Sequence, residues 1–348
     1  MKTSMIQSHF NRLSQILTVL LALLAVTWVP QCVAAASLDH ENRIVTYYTD
    51  DNRIIRVVRT YPSKRAARLG YYKTVTTYDQ REQKEKVERY FTEDVVKQKG
   101  FIKVATIFST EGEAIRVEQF YSEQAKQLLG VDKMVEVLAR PGKRSAPSKI
   151  IRYASDEEYA LNGELRKVEF LNSEGKKTKE EHYYVIDKSR PDQILKIVLR
   201  FDTRERLMRK ETYYPDPNTN SLGYYQSIFH YDKNGNKKIE EWFLTQEMAE
   251  KDGIRKQKYF LNPRGSVVAQ ETCYSSDRAS MQGFTKRIFH FDAKGRKEKE
   301  ERTFNDTIQK KHGWAREVVF FDTFGYATEV KTFDAGGQLV KISNVDTM

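Results

Sequence analysis

The stretch GYYQSIFHYDKNGNKKIEEWF (residues 223–243) contains one complete unit of the predicted fold. The segment before Asp232 is rich in aromatic and β-branched residues, which are typical of a β-strand. Asp232 opens a tight turn, Gly235 supplies the positive φ that closes it, and residues 236–243 run back as a second strand. Because these segments lack the apolar recurrence that a core-facing helix needs, the sequence predicts a β-hairpin.

The hairpin recurs along the chain with a period of thirty residues. Its closing glycine has counterparts at Asn52, Glu82, Gly112, Gly142, Gly175, Glu205, Gly265, Gly295 and Gly325. The period is exact except between Gly142 and Gly175, where three residues are inserted. A second glycine follows most of these positions by eighteen residues, at Gly70, Gly100, Gly130, Gly223, Gly253, Gly283 and Gly313. About nine polar residues precede each second glycine, and we interpret them as a loop.

A fixed period of this length is the mark of a repeat architecture. We predict an all-β fold of about ten antiparallel hairpins that form an elongated, twisted sheet. Residues 37–348 then make a single domain, with a degenerate repeat at 131–162. A β-propeller of four-stranded units is the alternative, because Glu-Glu pairs and histidines recur every sixty residues.

Opposite charges suggest a register for the two strands of each hairpin. With a two-residue turn loop, the position nine before the closing residue faces the position six after it. The pairs are Lys73–Glu88, Lys103–Glu118, Arg166–Glu181, Lys196–Glu211, Lys256–Glu271 and Lys286–Glu301. A turn with a glycine bulge is the alternative, and it would shift this register by one residue.

The N-terminus has the features of a signal peptide. Lys2 and Arg12 form a basic region, Ile16–Val29 is an apolar run of fourteen residues, and alanines 34–36 precede Ser37. We predict a signal peptide over residues 1–36, cleavage near Ala36 and Ser37, and a periplasmic or secreted protein. The alternatives are an uncleaved membrane anchor over residues 16–36 and lipid modification of Cys32.

Composition narrows the class of protein further. The full chain has 348 residues and a formal charge of +11, with 31% charged and 12% aromatic residues. The aromatic content excludes a disordered tail, and two cysteines exclude a disulfide scaffold. Cleavage would remove Cys32 and leave Cys273 as the only thiol.

The units HYDKNGNKKIEEWF and FFDTFGYATEVKTFDAGGQL resemble bacterial YD-type and MORN-variant hairpin repeats. The resemblance covers roughly residues 43–340 and rests on turn chemistry and aromatic residues. It implies a repeat scaffold for binding or surface display, and it transfers no catalytic residue.

Residues that invite a chemical function have structural explanations. His230 and His290 are four strands apart, roughly 19 Å in a regular sheet, which is too far for a shared metal ion. Adjacent glutamates at 180–181, 240–241 and 300–301 point to opposite sheet faces, so no such pair flanks one scissile bond.

Asx turns explain the turn residues Asp79, Asn172, Asp202, Asp232, Asn262, Asp292 and Asp322 without calcium. We interpret Cys273 as a packing residue, and we expect no catalytic residue, metal or cofactor.

The most distinctive feature is the basic stretch ARPGKRSAPSKIIR (residues 139–152). It contains Arg140, Lys143, Arg144, Lys149 and Arg152, and no carboxylate occurs from Ala139 to Ser155. We predict that these five residues bind an anionic surface. An eroded repeat with solvated charges is the alternative.

These observations favour an exported, non-enzymatic repeat scaffold or binding protein. A binder of an anionic polymer or membrane surface and a polysaccharide-active hydrolase are the alternatives. The expected partner is a protein or an anionic polymer of the cell envelope, with possible peripheral membrane contact, and nucleic acid is not expected.

Overall fold

The computed structural model describes residues 42–139, 147–185, 193–215 and 222–345. The predicted signal peptide with its cleavage point, Cys32, and Arg140, Lys143 and Arg144 of the basic stretch lie outside these ranges. The chain divides into two compact units, and the boundary falls between Thr178 and Lys179.

The first unit contains nine strands up to the unit boundary and four short helices among its described residues. The elements are β1 (Arg43–Tyr48), β2 (Ile54–Thr60), α1 (Ser63–Leu69), β3 (Tyr71–Tyr78), β4 (Lys84–Phe91), α2 (Glu93–Lys99), β5 (Phe101–Phe108), β6 (Ala114–Tyr121), α3 (Glu123–Leu129), β7 (Val131–Leu138), β8 (Pro147–Ala154), α4 (Asp156–Asn162) and β9 (Glu164–Leu171).

The second unit begins within β10 and contains three short helices among its described residues. The elements are β10 (Lys177–Tyr184), β11 (Lys196–Phe201), β12 (Leu207–Tyr213), β13 (Tyr224–Tyr231), β14 (Lys237–Leu244), α5 (Gln246–Asp252), β15 (Ile254–Leu261), β16 (Val267–Tyr274), α6 (Ser276–Gln282), β17 (Phe284–Phe291), β18 (Lys297–Phe304), α7 (Asp306–His312), β19 (Arg316–Phe321), β20 (Ala327–Phe333) and β21 (Leu339–Asn344).

In both units each strand pairs antiparallel with the next strand along the chain. The ladder runs without interruption from β1 to β9 in the first unit. It runs from β10 to β21 in the second. The all-β hairpin-repeat prediction is confirmed. Neither compact unit is a β-propeller of four-stranded blades, because the strand ladder of a propeller would stop after every fourth strand.

Asx hydrogen bonds hold the hairpin turns. Oδ1 of Asp232 accepts hydrogen bonds from the backbone N–H groups of Asn234, at 2.8 Å, and of Asn236, at 2.9 Å. The same two bonds occur at Asp79, Asn172, Asp202, Asn262, Asp292 and Asp322. The prediction that these residues open Asx turns is therefore confirmed.

In the hairpin turns that the structure describes, the closing residue has the predicted left-handed backbone. Gly235, Gly295 and Gly325 have φ values of 85°, 78° and 90°. The three non-glycine residues that the period places at this position, Asn52, Glu82 and Glu205, also have positive φ, at 68°, 59° and 58°. The thirty-residue register is therefore correct even where the glycine is absent.

The interpretation of the polar segments after the hairpins as loops is wrong for seven of them. Seven of these segments among the described residues form helices of seven residues. In α3, Oγ of Ser122 accepts a hydrogen bond from the N–H of Ala125 at 3.3 Å, and Gly130 ends the helix with φ 66°. Such a helix is too short to show an apolar period, so only its caps identify it. Glycine follows all seven helices, and a hydroxyl or amide residue precedes all of them except α1, which follows Pro62.

The predicted strand register is wrong by two residues. The turn after β3 contains three loop residues, because Asp79 pairs with Gln83, and a bulge beside it adds one more residue to β4. Lys73 therefore faces Tyr90, and Glu88 faces Val75. In the same way Lys103 faces Phe120, Lys196 faces Tyr213, Lys256 faces Cys273 and Lys286 faces Thr303, where a glutamate was predicted. A shift of two keeps every side chain on its predicted face.

The described residues of the two units form little hydrophobic core. One apolar cluster in the first unit joins Tyr121, Ala125, Met134 and Ile150 beneath α3. Elsewhere the buried apolar residues are mostly small and scattered along the strands, with Val75 and Ala105 among the least exposed. Among the described residues no helix is long and apolar enough to span a membrane.

Candidate functional site

Seven glutamates occupy equivalent positions in the second strands of seven hairpins, and the structure gives them cationic partners. Six of them contact a cation fifteen residues later, in the following hairpin. The distances are 3.2 Å for Glu88–Lys103, 2.8 Å for Glu118–Lys133, 3.2 Å for Glu181–Lys196, 2.5 Å for Glu241–Lys256, 3.9 Å for Glu271–Lys286 and 3.6 Å for Glu301–Arg316. The seventh, Glu211, contacts Arg200 and Arg209. Four of the sequence-predicted pairs name the wrong glutamate, because Lys103, Lys196, Lys256 and Lys286 each contact the glutamate fifteen residues earlier.

Most of these glutamates also contact a cation two residues earlier on their own strand. Glu88 lies 3.0 Å from Lys86, and Glu118 lies 3.0 Å from Arg116. Burial by itself would raise the pKa of Glu88, but hydrogen bonds from Lys86 and Lys103 outweigh it and lower the pKa. Six of these carboxylates therefore act as structural groups that join neighbouring hairpins.

The adjacent glutamates have separate surroundings, as predicted for opposite sheet faces. Glu300 is 1% exposed and accepts hydrogen bonds from Arg287 at 2.6 and 2.9 Å. Its neighbour Glu301 contacts Lys299 at 2.7 Å and His290 at 3.1 Å. The two carboxylates of such a pair thus do not converge on one substrate position.

The histidines and the cysteine take part in local packing. His230 lies 3.1 Å from Glu241, so His230 and His290 each contact the glutamate of their own hairpin. Cys273 is half-buried, with its Sγ 3.8 Å from a carboxylate oxygen of Glu271, and burial raises the pKa of its thiol.

The first unit carries a different feature, which we call the cationic face. It consists of three rows of side chains that cross strands β1–β8 on one side of the sheet, as the strand register defines. The central row is Val45, Val58, Val75, Glu88, Ala105, Glu118, Val135 and Ile151. The upper row is Arg43, Thr60, Lys73, Tyr90, Lys103, Phe120, Lys133 and Tyr153. The lower row is Tyr47, Arg56, Thr77, Lys86, Ile107, Arg116, Val137 and Lys149.

Cations dominate this face. Its twenty-four positions hold eight lysines and arginines but only two glutamates, a formal charge of +6. Lys86 and Lys103 share Glu88, and Arg116 and Lys133 share Glu118. The other four cations are Arg43, Arg56, Lys73 and Lys149. Within the described ranges, none of these four forms an ion pair with a carboxylate.

An equal stretch of the second unit is much closer to balance. The corresponding three rows on β11–β18 hold seven lysines and arginines and four glutamates, a formal charge of +3 with neutral histidines. The outer rows hold eight cations in the first unit and six in the second, which accounts for two of the three charges, and the central row accounts for the third. The first unit has Val58 and Ile151 at positions where the second has glutamates such as Glu211 and Glu241.

Aromatic rings separate the lysines of the upper row. The ammonium groups of Lys73 and Lys103 lie 4.9 and 5.7 Å from the centre of the Tyr90 ring. Those of Lys103 and Lys133 lie 4.1 and 4.9 Å from the Phe120 ring. These cation–π contacts hold the lysines in place on the sheet surface.

The structure describes two of the five predicted anion-binding residues and separates them. Lys149 lies in the lower row of the cationic face, where its ammonium group is 5.3 Å from the Phe170 ring. Arg152 lies on the opposite face of β8 and contacts Glu169 at 2.6 Å. Sequence reasoning missed the rest of the face because its cations are far apart along the chain. Their regular spacing within the repeat was the available signal.

The fold and this face define a β-hairpin repeat protein with one strongly basic sheet surface. No family model and no curated protein matches the sequence. Among solved structures, the chain is similar to a Tc holotoxin pore of Photorhabdus luminescens, at 10% identity and a TM-score of 0.16 over 87% of this chain and 24% of that chain. It is also similar to a TcdB2–TccC3 structure, at 10% identity and a TM-score of 0.13 over 86% and 24%. A porin-like protein from Bacteroides vulgatus has 10% identity and a TM-score of 0.11, over 88% and 98%. The chain thus spans about a quarter of the length of the two toxin chains. Similarities this distant assign it to no family.

Proposed function

We propose that this protein is a non-enzymatic repeat scaffold that binds an anionic polymer through the cationic face of its first unit. One observation carries the proposal: eight cations and two carboxylates lie in three adjacent rows on β1–β8. Cations of one outer row recur every second strand, roughly 10 Å apart, which is close to the Debye length of about 8 Å at physiological ionic strength. Neighbouring cations therefore reinforce one another toward a long polyanion.

The carboxylates support a scaffold rather than a hydrolase. The seven glutamates of the repeat are engaged with cations, mostly of the following hairpin, and a general acid or base needs a carboxylate free to exchange its proton. A glycan-hydrolysis screen of the purified chain tests this part of the proposal. We expect no turnover, and turnover that a Glu→Gln variant abolishes would overturn it.

Binding is tested with a variant that removes three cations for which the described part of the chain offers no carboxylate partner. Arg56→Gln, Lys73→Gln and Lys149→Gln together remove half of the formal charge of the face. The control is Lys64→Gln, Arg68→Gln and Arg81→Gln, which removes the same charge from exposed positions of the same unit outside the three rows.

Both variants are titrated with heparin at increasing salt. We expect the face variant to bind much more weakly and to lose part of the salt dependence, whereas the control binds nearly as the unmodified chain. Equal loss in both variants would show that only net charge matters and would contradict the proposed site.

Export is part of the proposal and rests on the sequence. The basic region, the apolar run and the alanines before Ser37 occur in the order of a signal peptide. N-terminal sequencing of the protein from its native cells is expected to begin within about two residues of Ser37. A full-length, membrane-retained chain would support an uncleaved anchor instead.

A further inference from the structure

The cations of the cationic face form a regular pattern. On the odd-numbered strands β1, β3, β5 and β7 the cation lies in the upper row: Arg43, Lys73, Lys103 and Lys133. On the even-numbered strands β2, β4, β6 and β8 it lies in the lower row: Arg56, Lys86, Arg116 and Lys149. One cation therefore occurs per strand, on alternating sides of the central row.

The dimensions of this zigzag follow from sheet geometry. Successive cations advance by one strand spacing, about 4.8 Å, and the two outer rows are four residues apart, roughly 13 Å along a strand. The side chains shorten the second distance because they lean inward. Lys86 and Lys103, from opposite rows, lie 3.0 and 3.2 Å from the same carboxylate oxygen of Glu88.

We infer that the polymer is a linear acidic polysaccharide of the polyuronate type, lying across the strands along the central row; this rests on the proposed function. In an extended polyuronate with two-fold symmetry, each sugar advances by about one strand spacing and successive carboxylates point to opposite edges of the chain. One sugar then matches one strand, and each carboxylate approaches the cation on its own side. Four of these cations are shared with Glu88 or Glu118 of the central row.

The aromatic rings favour this polymer over single-stranded nucleic acid. A nucleic-acid platform offers open ring faces on which bases stack. Tyr90 and Phe120 instead have lysine ammonium groups from both neighbouring strands within 5.7 Å of their ring centres. The face therefore offers charge at regular intervals and little stacking surface.

The experiment measures binding of mannuronate oligomers of defined length to the full chain. We expect affinity to rise with length until about eight sugars, one for each strand of the face, and then to level off. Inorganic polyphosphate, single-stranded DNA, duplex DNA and vesicles with anionic lipids are compared at equal charge concentration.

A swap variant separates pattern from charge. Lys73→Thr with Thr77→Lys moves the β3 cation from the upper to the lower row without changing the net charge. We expect about fivefold weaker binding of the eight-sugar oligomer, the factor that corresponds to about 1 kcal/mol, and unchanged binding of flexible polyphosphate. If this variant unfolds at lower temperature, Lys149→Tyr with Tyr153→Lys makes the equivalent swap on β8.

The outcomes distinguish the two levels of the proposal. Tighter or equal binding of polyphosphate, nucleic acid or vesicles, or oligomer binding that the swaps do not change, would overturn the polyuronate assignment and leave the anionic-polymer function standing. Failure of every polyanion to bind would overturn both.

Discussion

The carboxylate of Glu118 joins two hairpins: Lys133 Nζ lies 2.8 Å from Oε2, and Arg116 Nη2 lies 3.0 Å from Oε1. Arg116 belongs to the same strand as Glu118, whereas Lys133 belongs to the next hairpin. The side chain of Glu118 is only 12% exposed, so these contacts form where solvent screening is weak. Ion pairs of this kind recur along the chain and join six hairpins to the hairpin that follows.

Removing the charge of Glu118 is therefore expected to destabilise the first unit. Glu118→Gln leaves Arg116 and Lys133 close together without a carboxylate, and we expect a loss of about 1–3 kcal/mol in the free energy of unfolding. Urea denaturation followed by circular dichroism measures the change. The control is Glu113→Gln at an exposed turn position, and equal midpoints for the two variants would contradict a structural role of the ion pairs.

Glu136 is expected to make the stability of the first unit pH-dependent. Burial between Val117 and Ile150 raises the pKa of Glu136 to about 7, although Arg152 opposes the shift. In the unfolded chain the pKa is near 4.5. The folded state thus holds a proton that the unfolded state releases. The stabilising contribution is complete below about pH 4.5 and is lost as the pH rises to about 7.

The test compares the unmodified chain with Glu136→Gln between pH 5 and 8. We expect the variant to be the more stable of the two above pH 7, and the difference to shrink toward pH 5. The full effect is on the order of 3 kcal/mol. Arg152 contacts Glu169, whose lowered pKa places its own titration below this window. A difference that does not vary with pH would contradict the prediction.

The turn glycines are expected to tolerate no side chain without strain. Gly295 has φ 78°, and a Cβ added at this residue would meet no atom within 4 Å, so only backbone strain opposes substitution. Gly295→Ala should lower the free energy of unfolding by about 1 kcal/mol. Gly336→Ala, at a turn glycine without positive φ, is the control and should have little effect. Equal effects would refute the turn assignment.

The basic stretch is expected to add weak, salt-sensitive binding of anionic liposomes or lipopolysaccharide. Arg140→Ser, Lys143→Ser, Arg144→Ser and Lys149→Ser together should weaken this binding while thermal stability stays nearly unchanged. Lys149→Ser alone separates the cationic face from the other three residues. Unchanged binding in the fourfold variant, or binding that salt does not affect, would show that the stretch is an eroded repeat with solvated charges.

Turn chemistry made the repeat readable from the sequence alone. Asp232 and Gly235 specify the turn through an Asx hydrogen-bond pattern and a positive φ, and these are local properties of four residues. Glu205 occupies the same position of the period and has positive φ although it is not glycine. The signals that specify the short helices are local too, such as the caps Ser122 and Gly130 of α3. Two helical turns are nevertheless too short to show an apolar period.

The register and the cationic face were decided only by the tertiary structure. A bulge beside the turn adds a single residue, and no composition rule fixes its place, yet it determines that Glu88 contacts Lys103 in the next hairpin instead of Lys73 in its own. The cationic face depends on the same register, because it brings together side chains as distant in sequence as Arg56 and Lys149. The residue types and their period were determined by the sequence. Which charges neutralise one another, and which remain on the surface, depends on how neighbouring strands align.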